Sequence, residues 1–180
     1  MIVLTKTCDV FVNRSGRGVT LLELVLVMMI IFILAGVVAP RFSDFFPALQ
    51  VRTSADRIFA WAQKARTDAA VTAARQRLVF DPDGKKFWID YEADPLKEPG
   101  TFILRGGAWG EEALPQEVEF ESLEGLEKDP SGGGRLFVEF RPDGTSEEAT
   151  VVVSNDRGDR RTLRVEAATS RVYFESGSAP

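Results

Sequence analysis

The sequence predicts an α+β protein in which a long N-terminal helix packs against an antiparallel β-sheet domain of hairpins. Three observations support this prediction. Residues 19–40 are almost entirely apolar, residues 41–76 repeat apolar side chains at helical spacing, and residues 77–180 alternate apolar and polar side chains between turn motifs. Residues 1–18 form a short, more basic segment ahead of the apolar run.

The composition limits the possible classes of function. The chain has 180 residues, of which 44% are hydrophobic and 27% are charged, as expected for one folded domain with an additional segment. It contains no histidine, which excludes histidine-based catalytic triads and the usual zinc sites. Cys8 is the only cysteine, so an intrachain disulfide is excluded. We expect a non-enzymatic protein with no cofactor, no metal and no small-molecule substrate.

The distribution of charge argues against general binding to nucleic acid. The formal net charge is -5, and residues 1–18 carry Lys6, Arg14 and Arg17 against Asp9 alone. The remainder of the chain is therefore more acidic than the whole, whereas proteins that bind nucleic acid broadly are basic.

The apolar run Val19–Ala39 is long enough to cross a membrane as a helix. At a rise of about 1.5 Å per residue it covers a hydrocarbon core of roughly 30 Å. Arg14 and Arg17 precede it, and the positive-inside rule then places the N-terminus in the cytoplasm. We expect a single transmembrane helix, with the bulk of the chain on the outer side of the membrane.

Glu23 is the one charged residue of this run and needs a partner in an apolar environment. Cleavage after Gly18 would give Val19 a new ammonium group, at i,i+4 spacing from Glu23. In an assembly, the same carboxylate can instead pair with the ammonium group of a neighbouring subunit and fix the register of the two helices.

Two simpler interpretations account for less of the sequence. A cleaved secretory signal would have a shorter apolar region, and Pro40 directly follows the only small-residue cleavage pattern, Val37-Val38-Ala39. A plain signal anchor explains the length of the run but leaves Glu23 without a role.

The run Arg17-Gly18-Val19-Thr20-Leu21-Leu22-Glu23-Leu24 resembles the prepilin peptidase site of type IV pilins and type II secretion pseudopilins. In those families a short basic leader ends in glycine, and glutamate is the fifth residue of the mature chain. The resemblance implies that residues 1–18 are a removed leader, that prepilin peptidase cuts between Gly18 and Val19, and that Val19 is N-methylated. It also implies that Glu23 directs assembly with other pilins through the N-terminal helix. The families mostly have phenylalanine where this chain has Val19.

Pro40 resembles the proline that many pilins carry at the end of the membrane segment. Proline removes one backbone hydrogen bond, so it permits a helix bend at this depth. A simple end of the helix at the membrane surface is the alternative, and the sequence leaves both open.

Beyond Pro40 the sequence predicts an amphipathic helix to about Gln76. A polar face of basic residues lies opposite an apolar face. The basic residues are Arg52, Arg57, Lys64, Arg66 and Arg75, and the apolar residues are Phe42, Phe46, Leu49, Ile58, Ala62, Ala65, Ala69 and Ala73.

After Gln76 the pattern changes to alternation and predicts three hairpins, two of them around Pro-Asp-Gly turns. We interpret the aromatic residues Trp88, Tyr91 and Trp109 as core residues of the sheet. The predicted strand pairs are Leu78–Phe80 with Phe87–Tyr91, Leu136–Phe140 with Ala149–Ser154, and Thr162–Ala167 with Arg171–Glu175.

The C-terminal half resembles the H-type minor pseudopilins and their minor pilin relatives. The resemblance rests on Phe140-Arg141-Pro142-Asp143-Gly144-Thr145 and on the final hairpin at Arg171-Val172, where the family usually has glycine in place of Ser170. It implies a minor pseudopilin of a type II protein secretion system, near the tip of a short periplasmic filament.

Three other motifs have simpler interpretations. The acidic segment Glu111–Asp129 lacks the loop pattern of a calcium site and predicts a solvated edge and loop. Gly132–Gly134 does not open a helix, as a phosphate site requires, and predicts a flexible loop. The arginines Arg157, Arg160, Arg161 and Arg164 lack interleaved aromatic residues and predict an exposed hairpin loop.

Two alternative functions stay open. A minor type IV pilin, in pilus assembly or DNA uptake, would share every N-terminal feature and could use Arg160 and Arg161 to bind DNA. A signal-anchored periplasmic enzyme would depend on carboxylate or Ser/Lys chemistry, for which the sequence contains no motif.

Overall fold

The computed structural model describes residues 19–42, 45–130 and 132–175. The predicted leader 1–18, including Gly18, lies outside these residues. The chain divides into two compact units, Met1–Arg41 and Phe42–Pro180.

In the described residues of the first unit, the chain forms one helix, α1, which has 22 residues and spans Leu21–Phe42. Pro40 lies in its last turn, and α1 continues for two residues beyond it. Within the described residues, no helix combines the length and apolarity that crossing a membrane requires.

The second unit begins with helix α2, Phe45–Thr72, which buries one face against the β domain. The prediction for this face is correct from Ile58 to Ala69 and wrong at its ends. Phe46 and Leu49 are 59% and 43% exposed, because the β domain covers the helix only from about Val51 onward. The buried residues recur at helical spacing: Val51, Ala55, Ile58, Ala62, Ala65 and Ala69.

Helix α2 ends four residues before the predicted Gln76. Ala73 follows it with a φ of 52°, in the left-handed conformation that commonly terminates helices. Gln76 then pairs with Tyr91 on one side and Phe140 on the other. The strand pairing at Gln76 replaces the helical hydrogen bonds that the sequence pattern alone had predicted there.

The β domain contains two sheets in which all strand pairs are antiparallel. The strands are β1 Gln76–Asp81, β2 Lys86–Asp94, β3 Glu98–Leu104, β4 Glu112–Ala113, β5 Val118–Glu124, β6 Glu127–Lys128, β7 Leu136–Phe140, β8 Ala149–Asn155, β9 Arg160–Glu166 and β10 Arg171–Phe174. The first sheet has six strands in the order β3-β2-β1-β7-β6, with β4 paired to β2, and the second has four in the order β10-β9-β8-β5.

One hydrophobic core joins α2 to both sheets. Phe80 of β1 meets Phe120 of β5 edge to face, with 5.5 Å between the ring centroids, and so connects the sheets. On the helix, the ring of Trp61 packs edge to face against Phe87 and against Trp109, with ring centroids 5.2 and 5.4 Å apart. Phe80 and Phe87, two of the largest fully buried side chains, therefore lie in this shared core.

Two of the three predicted hairpins are confirmed and one is wrong. Strand β1 pairs with β2, and β9 pairs with β10. Strands β7 and β8 belong to different sheets. The turn at Arg141–Gly144 forms, with Gly144 N donating to Arg141 O, but the chain then passes through Thr145–Glu148 to the second sheet.

Candidate functional site

The start of α1 is fixed by the side chain of Thr20. Its Oγ1 accepts a hydrogen bond of 3.2 Å from Glu23 N, and its carbonyl accepts one of 3.1 Å from Leu24 N. These bonds make Thr20 the N-cap of the helix. The residue types Thr20 and Glu23, three apart, match a capping box.

This cap gives Glu23 a local role that the sequence analysis missed. Glu23 lies in the first turn of α1, where the helix dipole favours a negative charge. Val19 precedes the cap and is exposed, outside the helical turns. The Thr-x-x-Glu spacing is visible in the sequence, but the sequence analysis paired Glu23 only with an ammonium group, that of Val19 or that of a neighbouring subunit.

From Leu24 to Ala35, the described side chains of α1 are apolar on every side of the helix. All described side chains from Val19 to Ala35 are exposed. Leu24, Val25, Met28, Met29, Phe32 and Ile33 line a shallow apolar concavity on this helix. An exposed apolar surface of this kind is typical of an interaction surface.

In the β domain, two buried glutamates anchor an ion network on the face of the first sheet that points away from α2. Glu92 is 4% exposed and accepts hydrogen bonds from Arg75 Nη2 at 2.6 Å, Arg75 Nε at 3.0 Å and Gly100 N at 2.8 Å. Glu139, also buried, accepts from Arg77 Nε at 2.9 Å and Arg75 Nη1 at 3.4 Å.

The network shifts the protonation equilibria of its members. Hydrogen bonds from Arg75 lower the pKa of Glu92 to about 2, and the same bonds raise the pKa of Arg75 above its ordinary value. The sequence analysis placed Arg75 on the polar face of a helix. In the structure Arg75 follows α2 and binds the sheet, so that prediction is wrong.

Beside this network lies a cavity of about 400 Å³ on the same outer face. Its floor contains the buried residues Val79, Trp88 and Phe137. The guanidinium of Arg77 lies over two ring faces, 3.5 Å from the centroid of Phe102 and 4.1 Å from that of Phe137.

Asp90 also lines this cavity. Its pKa is raised, chiefly because burial disfavours the charged carboxylate and in part because Asp129 lies nearby, while a hydrogen bond from Trp88 lowers it.

The predicted core aromatics are mostly confirmed. Trp88 is buried, although on the outer face of its sheet, and Trp109 packs against Trp61. Tyr91 is half-buried.

Several charged side chains of the basic and acidic motifs form ion pairs. Arg160 pairs with Glu121 at 3.7 Å, and Arg164 pairs with Glu175 at 3.3 Å. In the acidic segment, Glu112 pairs with Arg57, and Glu111 pairs with Lys86 at 3.1 Å. Among the described side chains, no group of three acidic or cysteine residues is arranged to hold a metal ion.

The two C-terminal motifs that resemble the H-type pseudopilins lie next to each other. Ser170 Oγ donates a hydrogen bond of 3.0 Å to Gly144 O, and Ser146 N donates one of 2.9 Å to Ala167 O. Within the first motif, Asp143 Oδ1 accepts bonds from the backbone and hydroxyl of Thr145. The turn after β7 and the turn before β10 therefore form one structural unit.

Comparisons by sequence assign no family. No profile of a known protein family matches the chain. A segment of 96 residues is 33% identical to the proteasome subunit alpha type-3 of Drosophila melanogaster, covering 53% of this chain and 36% of that protein. The chain thus spans about a third of the curated relative that it matches.

Comparisons by structure identify the fold. A structure of the minor pseudopilin EpsH from the type 2 secretion system of Vibrio cholerae matches with a TM-score of 0.57 and 9% identity, covering 72% of this chain and 99% of EpsH. A second EpsH structure matches with a TM-score of 0.55 and 8% identity, covering 73% of this chain and 96% of EpsH. The type IV minor pilin FimU of Pseudomonas aeruginosa matches with a TM-score of 0.50 and 14% identity, covering 73% of this chain and 92% of FimU. The chain therefore has a pilin-like fold, as the resemblance predicted.

Proposed function

We propose that the chain is a minor pseudopilin of a type II protein secretion system, which prepilin peptidase cuts between Gly18 and Val19. The observation that carries the proposal is the combination of a pilin-like β domain with a capped, predominantly apolar helix that bears Glu23 in its first turn. The H-type sequence pattern and the similarity to EpsH support a position near the tip of the filament. The fold of the neighbours supports a structural rather than an enzymatic role.

In this proposal α1 serves two apolar environments in turn. Before assembly, the run from Val19 to Ala39 anchors the precursor in the inner membrane, with the N-terminus in the cytoplasm and the β domain in the periplasm. After assembly, the same surface packs against the N-terminal helices of other pseudopilins. Prepilin peptidase, the inner membrane and these subunits are the proposed partners.

Glu23 links processing to assembly. Cleavage after Gly18 creates an ammonium group on Val19, and methylation of that group leaves its charge in place. In an apolar environment this ammonium and a carboxylate attract each other strongly, so Glu23 of one subunit aligns with Val19 of the next. Thr20 holds the first turn of the helix that presents the carboxylate.

Two substitutions separate the charge of Glu23 from its helix-capping role. Glu23→Gln removes the charge but keeps a residue type that completes a capping box, whereas Thr20→Ala removes the cap and keeps the charge. In cells with the complete secretion system, the outer membrane would be permeabilised before shearing, and the chain would be measured in the released filament fraction and in the membrane fraction. We expect Glu23→Gln to leave the chain in the membrane and Thr20→Ala to assemble better than Glu23→Gln. Assembly of Glu23→Gln at the wild-type level would contradict the proposed role.

A minor type IV pilin is the second candidate, because FimU shares the fold. The two functions differ in the filament that the chain enters. For a DNA-uptake pilin, binding of the β domain to double-stranded DNA would weaken with salt and fall when Arg160 and Arg161 are both replaced by glutamine. Binding that stays at background in low salt would remove the DNA-uptake form of this alternative.

A further inference from the structure

Strand β3 is an unprotected edge of the first sheet. It pairs with β2 on one side and, among the described strands, ends the sheet on the other. Residues 101–104 carry no charge, and Ile103 and Leu104 are 44% and 49% exposed. Proteins usually protect sheet edges with charged side chains or by making the edge strand short. An exposed, uncharged edge of this kind can pair with a strand from another molecule.

The register of β3 shows which of its backbone groups point away from β2. Arg105 N donates to Ile89 O at 2.9 Å, and Leu104 lies opposite Asp90. Hydrogen-bonded and non-hydrogen-bonded pairs alternate in an antiparallel ladder, so the N–H and C=O of Phe102 and of Leu104 point outward. These groups have the two-residue spacing at which an antiparallel strand exchanges hydrogen bonds. The occupant that matches them is therefore an extended backbone.

The side chains that an added strand would meet are apolar on both faces of the sheet. Phe102 and Leu104 line the cavity of about 400 Å³ on the outer face, beside its apolar floor. Ile103 projects to the opposite face, because neighbouring side chains of a strand alternate. Side chains at successive positions of an added strand therefore each have an apolar neighbour on β3.

The charged residues around the cavity already have neighbours of opposite sign. Glu111 pairs with Lys86 at 3.1 Å. Burial raises the pKa of Asp90, whereas the nearby charges of Arg77 and Arg135 act to lower it. A charged side chain on an added strand would lose hydration without a matching gain, which costs free energy. The surroundings of the edge therefore favour a strand with uncharged side chains.

We propose that β3 docks an uncharged, extended segment of a partner protein that carries apolar side chains at three successive positions. The segment runs antiparallel to β3 and exchanges hydrogen bonds with Phe102 and Leu104. Its central side chain lies opposite Ile103 on one face, and the side chains before and after it contact Leu104 and Phe102 on the other. The partner is thus recognised by main-chain hydrogen bonds and by apolar contacts on both faces of one added strand.

This docking mode requires only the edge of β3, so it does not depend on the filament role proposed above. The test uses residues 42–180, which contain the entire described core and form a compact unit. The probe is the peptide Thr-Val-Ile-Val-Thr with both ends blocked, titrated into the isotopically labelled domain and followed by amide NMR. We expect saturable shifts centred on Thr101–Leu104.

Two N-methylated peptides test the strand pairing. Methylation of both valines removes the N–H groups that face β3, so we expect binding to be lost. Methylation of the isoleucine alters an N–H that points away from β3, so we expect binding to be kept. Equal affinities of the two methylated peptides would overturn the proposal, because a contact made only by side chains does not distinguish alternate N–H groups.

Charge is tested on both molecules. Peptides with arginine or glutamate in place of the isoleucine should each bind at least about fivefold more weakly. Ile103→Lys places a charge on the edge and should weaken binding of the original peptide similarly. Leu96→Lys is the control, because Leu96 is 94% exposed in the turn between β2 and β3, and it should leave binding unchanged. The amide spectrum of each variant also reports whether the domain is folded.

Several results would overturn the proposal. Equal or tighter binding of the arginine or glutamate peptide would contradict the uncharged character of the partner. Shifts centred on another surface, or no saturable shift, would contradict docking at β3. A concentration-dependent dimer through β3 in sedimentation would replace the partner with a second copy and so also overturn it.

Discussion

Ser170 donates a hydrogen bond of 3.0 Å from its hydroxyl to the carbonyl of Gly144, which connects two turns that are 26 residues apart in sequence. Ser170 is 1% exposed and has a φ of 49°, in the left-handed region that glycine adopts at least cost. The residue therefore contributes a buried hydrogen bond while it holds a strained backbone conformation.

The hydrogen bond and the strained backbone of Ser170 together predict that alanine at this position is less stable than glycine. Ser170→Ala loses the hydrogen bond and keeps the strain, so we expect a loss of about 1–2 kcal/mol in the free energy of unfolding. Ser170→Gly also loses the bond but relieves the strain, and should cost less than the alanine substitution. Urea denaturation of residues 42–180 measures both, with Thr169→Ala as an exposed control. A larger loss for glycine than for alanine would contradict this explanation.

The ion pair between Arg75 and Glu92 predicts a dependence of stability on acid pH. The pKa of Glu92 is about 2 in the folded protein and near its ordinary value of 4.5 in the unfolded chain. A lowered pKa stabilises the fold above the unfolded value, and this stabilisation disappears as pH falls from about 4.5 toward 2. We expect Glu92→Gln to cost about 2–3 kcal/mol at neutral pH, the contribution of hydrogen bonds to a charged group.

The variant should also flatten the acid limb of the stability curve. Urea midpoints at pH 7, 5 and 3 would show a smaller fall between pH 5 and 3 for Glu92→Gln than for the wild type. The exposed Glu98→Gln is the matched control and should follow the wild type. Parallel curves for Glu92→Gln and the wild type would refute the assignment of acid sensitivity to Glu92.

Gly125 occupies a turn that excludes any side chain. Its φ is +74°, and a Cβ atom there would lie 2.1 Å from the carbonyl oxygen of Glu148. Gly125→Ala must therefore displace the backbone that leads into β8, and we expect a loss of about 2–4 kcal/mol. Gly106→Ala is the control, because Gly106 has a φ of -81° and open space around its Cα. The melting temperature of Gly125→Ala should be clearly lower than that of Gly106→Ala. Equal melting temperatures would count against the described turn.

The small side chains of α2 allow the sheets to approach the helix closely. Ala65 has no exposed surface, while Ala70 on the opposite side is exposed. Ala65→Leu overpacks this contact and should reduce stability by about 1–3 kcal/mol. Ala70→Leu adds the same atoms in solvent and should change stability little. Circular dichroism during chemical denaturation compares them, and similar midpoints would show that the helix–sheet contact is not tight.

Local sequence patterns predicted the elements whose partners are close along the chain. The turn at Asp81–Gly84 and the turn before Arg171 each join strands that pair directly, so alternation and turn chemistry were sufficient. The same reasoning failed for Leu136–Phe140 and Ala149–Asn155. Their turn residues are equally favourable, but the choice of sheet depends on long-range packing across the core.

Other features were present in the sequence but interpreted too simply. Strand β5 alternates Val118 and Phe120 with glutamates, a strand signal inside a segment that was described only as an acidic edge and loop. The network around Glu92 and Glu139 was not predictable, because it joins Arg75 to residues 17 and 64 positions away. At the N-terminus, the sequence analysis looked for a charged partner of Glu23. It therefore missed that Thr20 caps the helix.

If the chain is a prepilin, prepilin peptidase must process it. The full-length protein would be expressed with and without a prepilin peptidase, and its intact mass and N-terminal sequence determined, with Gly18→Val as an uncleaved control. We predict a peptidase-dependent chain that begins at Val19 and carries an N-methyl group. A chain that begins at Met1 in both samples would contradict it and leave Glu23 as a charge in an ordinary membrane anchor.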